Sequence, residues 1–404
     1  MKRNCMKTAM LLGMCLFISG GCADGGDRKE SQEKVSAESG NLAESEELAE
    51  GYKEIYEEAK KDDTLHTKEV ISQIIETLGE EGCCAVDSEN RINMTNADTA
   101  EKFCETAQNG EEGACSFFQV TDEGGFIRYD LLSQDGKMEV KRSNLSWTAE
   151  GEPAAEQVDA YTAEAWNYTE KGYLFLELAR PAGFDGPSGH TAMRIAPLEE
   201  ELRQWNERCI LPVGYGGNNL FLTDWDRGSL QKLCLYDLYE PFYEMKYGEE
   251  KVFDAKVGTK EYEIPSEEFE SVLETFLPVD KSLLQMEKGY DPAEDCYLYR
   301  QRGQYDIGGN PDTPYPEVVA CEKEEDGTIL LTVEAVWKKG NTDRAFTHMV
   351  RIGLKEDGTF SYLSNQIVPS EDNQIPSYIP RLTDEEWEEY YSYLQPNLFV
   401  NRLI

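Results

Sequence analysis

The sequence predicts an α+β fold in two lobes, set behind a disordered N-terminal tether. Helical spacing of apolar residues and strand-like alternation occur in separate blocks, helices first and meanders after, with no repeated βαβ pattern. That order occurs twice, once before residue 208 and once after it. The stretch from Ala23 to Glu47, by contrast, is Asp, Glu, Ser, Gly and Lys with scattered apolar residues, too few to bury a core.

The chain opens with a basic segment from Met1 to Lys7, an apolar run from Thr8 to Ile18, and Ser19-Gly20-Gly21-Cys22. This layout resembles a bacterial lipoprotein signal peptide, although Ser19 stands where that class usually carries Leu. The apolar run is about half the length a membrane-spanning helix needs, so it reads as a cleaved signal. The resemblance implies cleavage before Cys22 and attachment of a diacylglycerol to its thiol. The expected organisation is a signal over 1–21, an acidic tether over 22–47, one lobe over 48–208 and a second over 209–404.

In the first lobe, Leu48, Tyr52, Ile55, Tyr56 and Ala59 repeat at helical spacing, as do Val70, Ile71, Ile74, Ile75 and Leu78. A third helix is expected over Asp98–Ala107. The period then changes: Ser116–Thr121, Phe126–Leu132 and Met138–Trp147 alternate, with Asp122-Glu123-Gly124-Gly125 and Asp135-Gly136 between them, an antiparallel meander with turn chemistry at both bends. Strands at Tyr173–Ala179 and Thr191–Ile195 and an amphipathic helix over Leu198–Arg208 complete the lobe. Cys209 to Gly258 has no readable pattern.

The second lobe repeats the theme. Pro265 is expected to open a helix whose buried stripe is Phe269, Val272, Leu273 and Phe276, with Pro278 ending it. A short helix over Lys281–Lys288 precedes strands at Glu317–Cys321, Thr328–Lys338, Arg344–Leu354 and Thr359–Val368. A last helix is announced by the capping box Thr383-Asp384-Glu385-Glu386.

Composition narrows the functional classes. With 39 Lys+Arg against 79 Asp+Glu, the net charge of −40 disfavours nucleic acid and anionic lipid headgroups. A polyanion beside a membrane needs a covalent anchor, and two acyl chains at roughly 0.8 kcal/mol per buried CH₂ supply one. Eleven cysteines occur; Cys5 and Cys15 leave with the signal and Cys22 takes the lipid. Among the rest, Cys83, Cys84, Cys104 and Cys115 form a local set, with Cys83 and Cys84 on opposite faces of a strand. Cys209–Cys234 and Cys296–Cys321 are candidate disulfides, each closing a loop of about 25 residues for about 3 kcal/mol. No C-x₂-C spacing exists and only three histidines are present, which argues against zinc.

Motifs for catalysis are weak. Ser188 and His190 lie in a Gly/Pro turn that is not G-x-S-x-G and has no assignable third group, so neither is read as catalytic. Asp224-Trp225-Asp226-Arg227-Gly228 begins like a calcium loop, but Leu235 stands where the closing Glu is required. Asp306, Asn310 and Asp312 have no ligand register, and Gly214-Tyr215-Gly216-Gly217 lacks a following Lys-Ser/Thr. The dense aromatics Trp147, Trp166, Trp225, Tyr215, Tyr236, Tyr239, Phe242, Tyr243 and Tyr247 suit either a sugar or peptide site or, by preference, the core between the lobes. No catalytic, metal or cofactor residue is assigned.

Asp343-Arg344-Ala345-Phe346-Thr347-His348 and Asp357-Gly358-Thr359-Phe360-Ser361-Tyr362-Leu363-Ser364-Asn365, with the signal and tether, resemble uncharacterised lipoproteins of Gram-positive gut Clostridia. The resemblance implies a location outside the cytoplasmic membrane and no mechanism. The expectation is a lipid-anchored, non-catalytic binding or envelope-support protein; the alternative is a secreted hydrolase of cell-wall or dietary polymers.

Overall fold

The computed structural model describes residues 40–180, 189–253, 261–287, 289–302 and 313–391. The signal sequence, Cys22, most of the tether, Ser188, Lys288 and the loop holding Asp306, Asn310 and Asp312 lie outside the described residues. The fold is α+β.

Helix α1 spans residues 40–50 and α2 spans Lys53–Asp62. Helical structure therefore starts within the stretch read as tether and not at Leu48. The reason is polar: Arg128 reaches from the neighbouring sheet to the Glu44 carboxylate and the Asn41 carbonyl, contacts that hydropathy does not register. Helix α3 (Lys68–Glu80) is capped by Thr67, whose hydroxyl accepts from the Val70 amide, and it buries Ile71, Ile74, Ile75 and Leu78.

Strand β1 (Cys84–Asp87) and helix α4 (Ala97–Gln108) precede the meander β2 (Gly113–Val120), β3 (Phe126–Gln134), β4 (Lys137–Trp147) and β5 (Pro153–Thr162). These strands form one sheet in the order β1-β2-β3-β4-β5, with β1 parallel to β2 and every other pair antiparallel. Asp135 and Gly136, both at positive φ, close the β3–β4 hairpin in two residues. At Gly125 a Cβ would stand 2.3 Å from the Leu145 carbonyl oxygen, so the approach to β4 requires glycine there. Strand β5 escaped sequence reading because none of its residues is buried, leaving no apolar alternation.

The sheet is covered on both faces. Phe118, Val120, Phe126 and Leu145 pack with α1–α3, while Phe117, Tyr129, Leu131, Met138 and Val140 pack with α4 and a second sheet. That sheet holds β6 (Ala165–Tyr168), β7 (Tyr173–Glu177) and β8 (His190–Arg194). Cys83 and Cys84 fall on opposite faces, as alternation requires.

Helix α5 (Glu200–Trp205) runs on through a π turn, Asn206–Ile210, into the stretch without readable pattern. That stretch holds β9 (Trp225–Asp226), two 3₁₀ turns (Leu230–Lys232 and Leu235–Leu238) and α6 (Tyr239–Tyr247). Strand β10 (Tyr262–Pro265) leads into α7 (Ser266–Phe276), so Pro265 is the residue before the helix and not its first member. Then come α8 (Lys281–Leu284), β11 (Tyr290–Asp291), β12 (Cys296–Tyr299), β13 (Tyr315–Lys323), β14 (Ile329–Val336), β15 (Thr347–Leu354) and β16 (Phe360–Ile367). They build a small sheet, β10-β12-β11, and a five-stranded one, β13-β14-β15-β16-β9. Helix α9 (Asp384–Tyr391) starts at the expected capping box, in which the Glu386 carboxylate accepts from the Thr383 amide and the Thr383 hydroxyl accepts from the Glu386 amide. Among the described residues, no helix is long and apolar enough to cross a membrane.

Neither candidate disulfide is present. Cys209, Cys234, Cys296 and Cys321 are free thiols, as are Cys83, Cys84, Cys104 and Cys115. Cys296 sits in β12 opposite Pro265 and Asp291, whereas Cys321 sits in β13 opposite Leu331, so each belongs to a different sheet. Cys209 is sealed inside the π turn, and the Cys234 amide is held by the Asn219 side chain. Sequence proximity is a poor guide where short strands divert the chain between sheets.

His348, in β15, is fully buried. Its Nε2 accepts from the Tyr215 hydroxyl at 2.9 Å and its Nδ1 donates to Asn365 Oδ1 at 2.7 Å. Burial lowers its pKa to about 4 despite the Asn365 hydrogen bond. A folded pKa below the unfolded one means stability is full above the unfolded value and declines as pH falls from about 6.5 to about 4. The decline attributable to His348 is about 3 kcal/mol. Urea unfolding of wild type and His348→Asn across that window measures it; parallel pH profiles would refute the assignment.

Candidate functional site

A cleft of about 570 Å³ opens in the C-terminal half. One wall comes from the 3₁₀ turn Leu235–Leu238 running straight into α6, which puts Asp237, Glu240 and Glu244 along one side. The loop from Pro212 to Asn218 also lines the cleft. Asn218 is buried; its amide donates to the Val213 and Gly216 carbonyls while its Oδ1 accepts from the Leu220 amide. These bonds fix the shape of the loop. Gln301 and Arg302 follow β12, and Arg381 arrives from the segment before α9.

The charges in the cleft are unevenly committed. Asp237, buried at the back, accepts from Arg302 Nη2 at 2.9 Å and from Arg381 Nε and the Tyr378 hydroxyl. Burial opposes the Arg381 charge, but Tyr299 and Asp237 beside it keep the guanidinium above its ordinary pKa. The Arg381 guanidinium also lies over the Tyr236 ring, 4.9 Å from its centroid. Lys251 is drawn to Glu268 at 2.6 Å. Glu240 accepts from the Tyr299 hydroxyl at 2.8 Å and Gln301 Nε2 at 3.4 Å. Among the described residues, the Glu244 and Glu250 carboxylates engage no side-chain partner. Among the described residues, the lining contains no Ser, Thr, Cys or His.

This arrangement can accept hydrogen bonds and hold positive charge; among the described residues its lining presents no serine, threonine, cysteine or histidine side chain, and the Tyr378 and Tyr299 hydroxyls beside it are bonded to Asp237 and Glu240. None of the histidines lines the cleft: His66 is in the turn before α3, His190 is on β8 opposite Glu177, and His348 is buried in the C-terminal half behind Tyr215. Asp224 accepts from the Ile367 amide, and Asp226 accepts from Gly228 N and Ser229 Oγ, so the calcium-like loop is a turn pinned to β16. Those two bonds hold the Asp226 carboxyl below its usual range. Among the described residues, no group of three or more His, Cys, Asp and Glu is placed to hold a metal.

The aromatic residues mostly fill the core. Tyr215, Trp225, Tyr239 and Phe242 are buried in the C-terminal cluster, and Trp147 stacks on Tyr56 with centroids 4.0 Å apart. Tyr247, at 48% exposure, is the exception among those named. The one sequence signal for the cleft was the acidic spacing 237-240-244, invisible among 79 acids.

Residues 38–381 match the profile of a family of unknown function (DUF6070). The chain belongs to that family. Comparison with curated proteins and with solved structures finds no match. The DUF6070 span begins just before α1 and ends at Arg381, the residue that grips Asp237. The complete cleft therefore lies within the family's span, while Cys22 and α9 lie outside it.

Proposed function

We propose that this DUF6070 protein is an extracytoplasmic lipoprotein, anchored through Cys22, that binds an amine-bearing ligand in the cleft above Asp237 without catalysis. The signal layout and the resemblance to lipoproteins of gut Clostridia support the location. The pairing pattern among the described residues of the cleft supports the binding: Lys251, Arg302 and Arg381 each have a carboxylate partner, Glu244 and Glu250 engage no side chain, and no Ser, Thr, Cys or His lines the wall. The net charge of −40 draws cations towards it. The alternative, a secreted hydrolase, has the polar open cleft in its favour; turnover of a wall or dietary polymer that Glu240→Gln abolishes would select it.

Two experiments test the proposal. Cys22→Ala moves the protein from the membrane fraction to the soluble fraction, and wild type takes up a labelled fatty acid; an unlabelled wild type refutes the anchor. Spermidine or a lysine-rich peptide raises the thermal midpoint of the full chain, by mass action on the folded state. The rise is lost in Glu244→Gln/Glu250→Gln. An equal rise in that variant would reveal diffuse attraction to a polyanion and refute the site.

A further inference from the structure

The N-terminal half holds a thiol cluster remote in sequence from the cleft residues. Cys84 in β1, Cys104 in α4 and Cys115 in β2 belong to one apolar cluster, and Cys84 Sγ stands 3.9 Å from Cys115 Sγ. Cys104 is fully buried and hydrogen-bonds neither, and Cys83 faces the opposite side of the sheet among Ile71, Ile74 and Phe118. The two residues differ in exposure: Cys84 is 2% exposed, whereas Cys115 is only partly buried.

We propose that Cys84 and Cys115 form a redox-active dithiol that closes to a disulfide by exchange with a low-molecular-weight disulfide. The sulfurs must approach from 3.9 Å to about 2.05 Å. Cys84 pairs in register with Phe117, so Cys115 is its diagonal neighbour, and closure requires the four-residue edge strand β1 to shift along β2. Cys115 takes the first step as the more exposed residue of the two: its thiolate, after losing a proton to solvent, attacks one sulfur of the donor and expels the other half as a thiolate. The Cys84 thiolate then attacks Cys115 Sγ and expels the second half. Two cysteine S–H groups are oxidised, and the donor's S–S bond is reduced to two thiols that take up the two protons. The contact with Cys115 holds the Cys84 thiol below its usual range against the effect of burial. The same contact, with burial, pushes the Cys115 thiol up.

The test is peptide mapping of the full chain after incubation with oxidised glutathione, blocking with N-ethylmaleimide and digestion with trypsin and a glutamate-specific protease. Cleavage after Glu105 separates Cys104 from Cys115. The expected product joins the Cys84 peptide to the Cys115 peptide and is two hydrogens lighter than their sum. It persists in Cys104→Ser and Cys83→Ser and vanishes in Cys115→Ser. A Cys84–Cys104 link, glutathione retained on Cys115, or maleimide on both Cys84 and Cys115 would each overturn the proposal.

Discussion

Glu317→Ala lowers the unfolding free energy by about 3–5 kcal/mol, the cost of stranding one member of a buried ion pair. Glu317 lies in β13 and Arg194 at the end of β8; both are 6% exposed, and the pair joins the two halves of the molecule. The second Glu317 oxygen accepts from the Tyr173 hydroxyl at 2.7 Å, and the Arg194 guanidinium lies over the Tyr173 ring. Burial pushes the Glu317 carboxyl up, and the Arg194 charge and Tyr173 hydroxyl only partly pull it back. The position carries a second constraint, because Glu317 pairs directly with Glu334 of β14. Like charges at that spacing repel, and each is neutralised from the other half, Glu317 by Arg194 and Glu334 by Lys171. Arg194→Ala, which leaves two facing carboxylates with one cation, destabilises comparably. Glu317→Gln keeps the acceptor and loses less than Glu317→Ala. Urea unfolding followed by tryptophan fluorescence measures the series, and a loss under about 1 kcal/mol for Glu317→Ala would contradict the account.

Asp237→Ala costs about 3 kcal/mol or more by the same logic and loosens the segment before α9. Asp237 is the common acceptor for Arg302, Arg381 and Tyr378, two of which come from that segment. Without it, two guanidiniums face the cleft with no shared counter-charge. The Arg381 bonds to the Arg300 carbonyl and Tyr299 hydroxyl remain and hold the segment only in part. Limited trypsinolysis reports the change directly: cleavage after Arg381 accelerates in Asp237→Ala relative to wild type, at temperatures well below global unfolding. Unchanged cleavage together with unchanged stability would remove Asp237 from its place as the organiser of the cleft.

Much of the scaffold was legible because it rests on local rules. The stripe Ile71, Ile74, Ile75 and Leu78 has helical period, Asp135-Gly136 demands a two-residue hairpin, and Thr383 with Glu386 closes a capping box. These signals lie within a few residues and survive any tertiary context. Other features left little local trace: α1 is held by polar contacts to Arg128, β5 has no buried face, and the π turn through Cys209 sits where helix and core compete for the same residues.

The sequence by itself determined the α+β class, the order of the main elements, the chemistry of their turns and the charge that disfavours nucleic acid. It did so because period, capping and net charge are properties of neighbours or of sums. Only the tertiary structure decided which cysteines meet, which carboxylates are committed and where a cleft opens. Cys84 reaches Cys115 across a parallel strand pair, Glu317 finds Arg194 from 123 positions away, and Asp237 collects Arg302 and Arg381 from distant segments. Each such pairing depends on side chains brought together by the packing of sheets, and many acids along this chain are equivalent until packing singles one out.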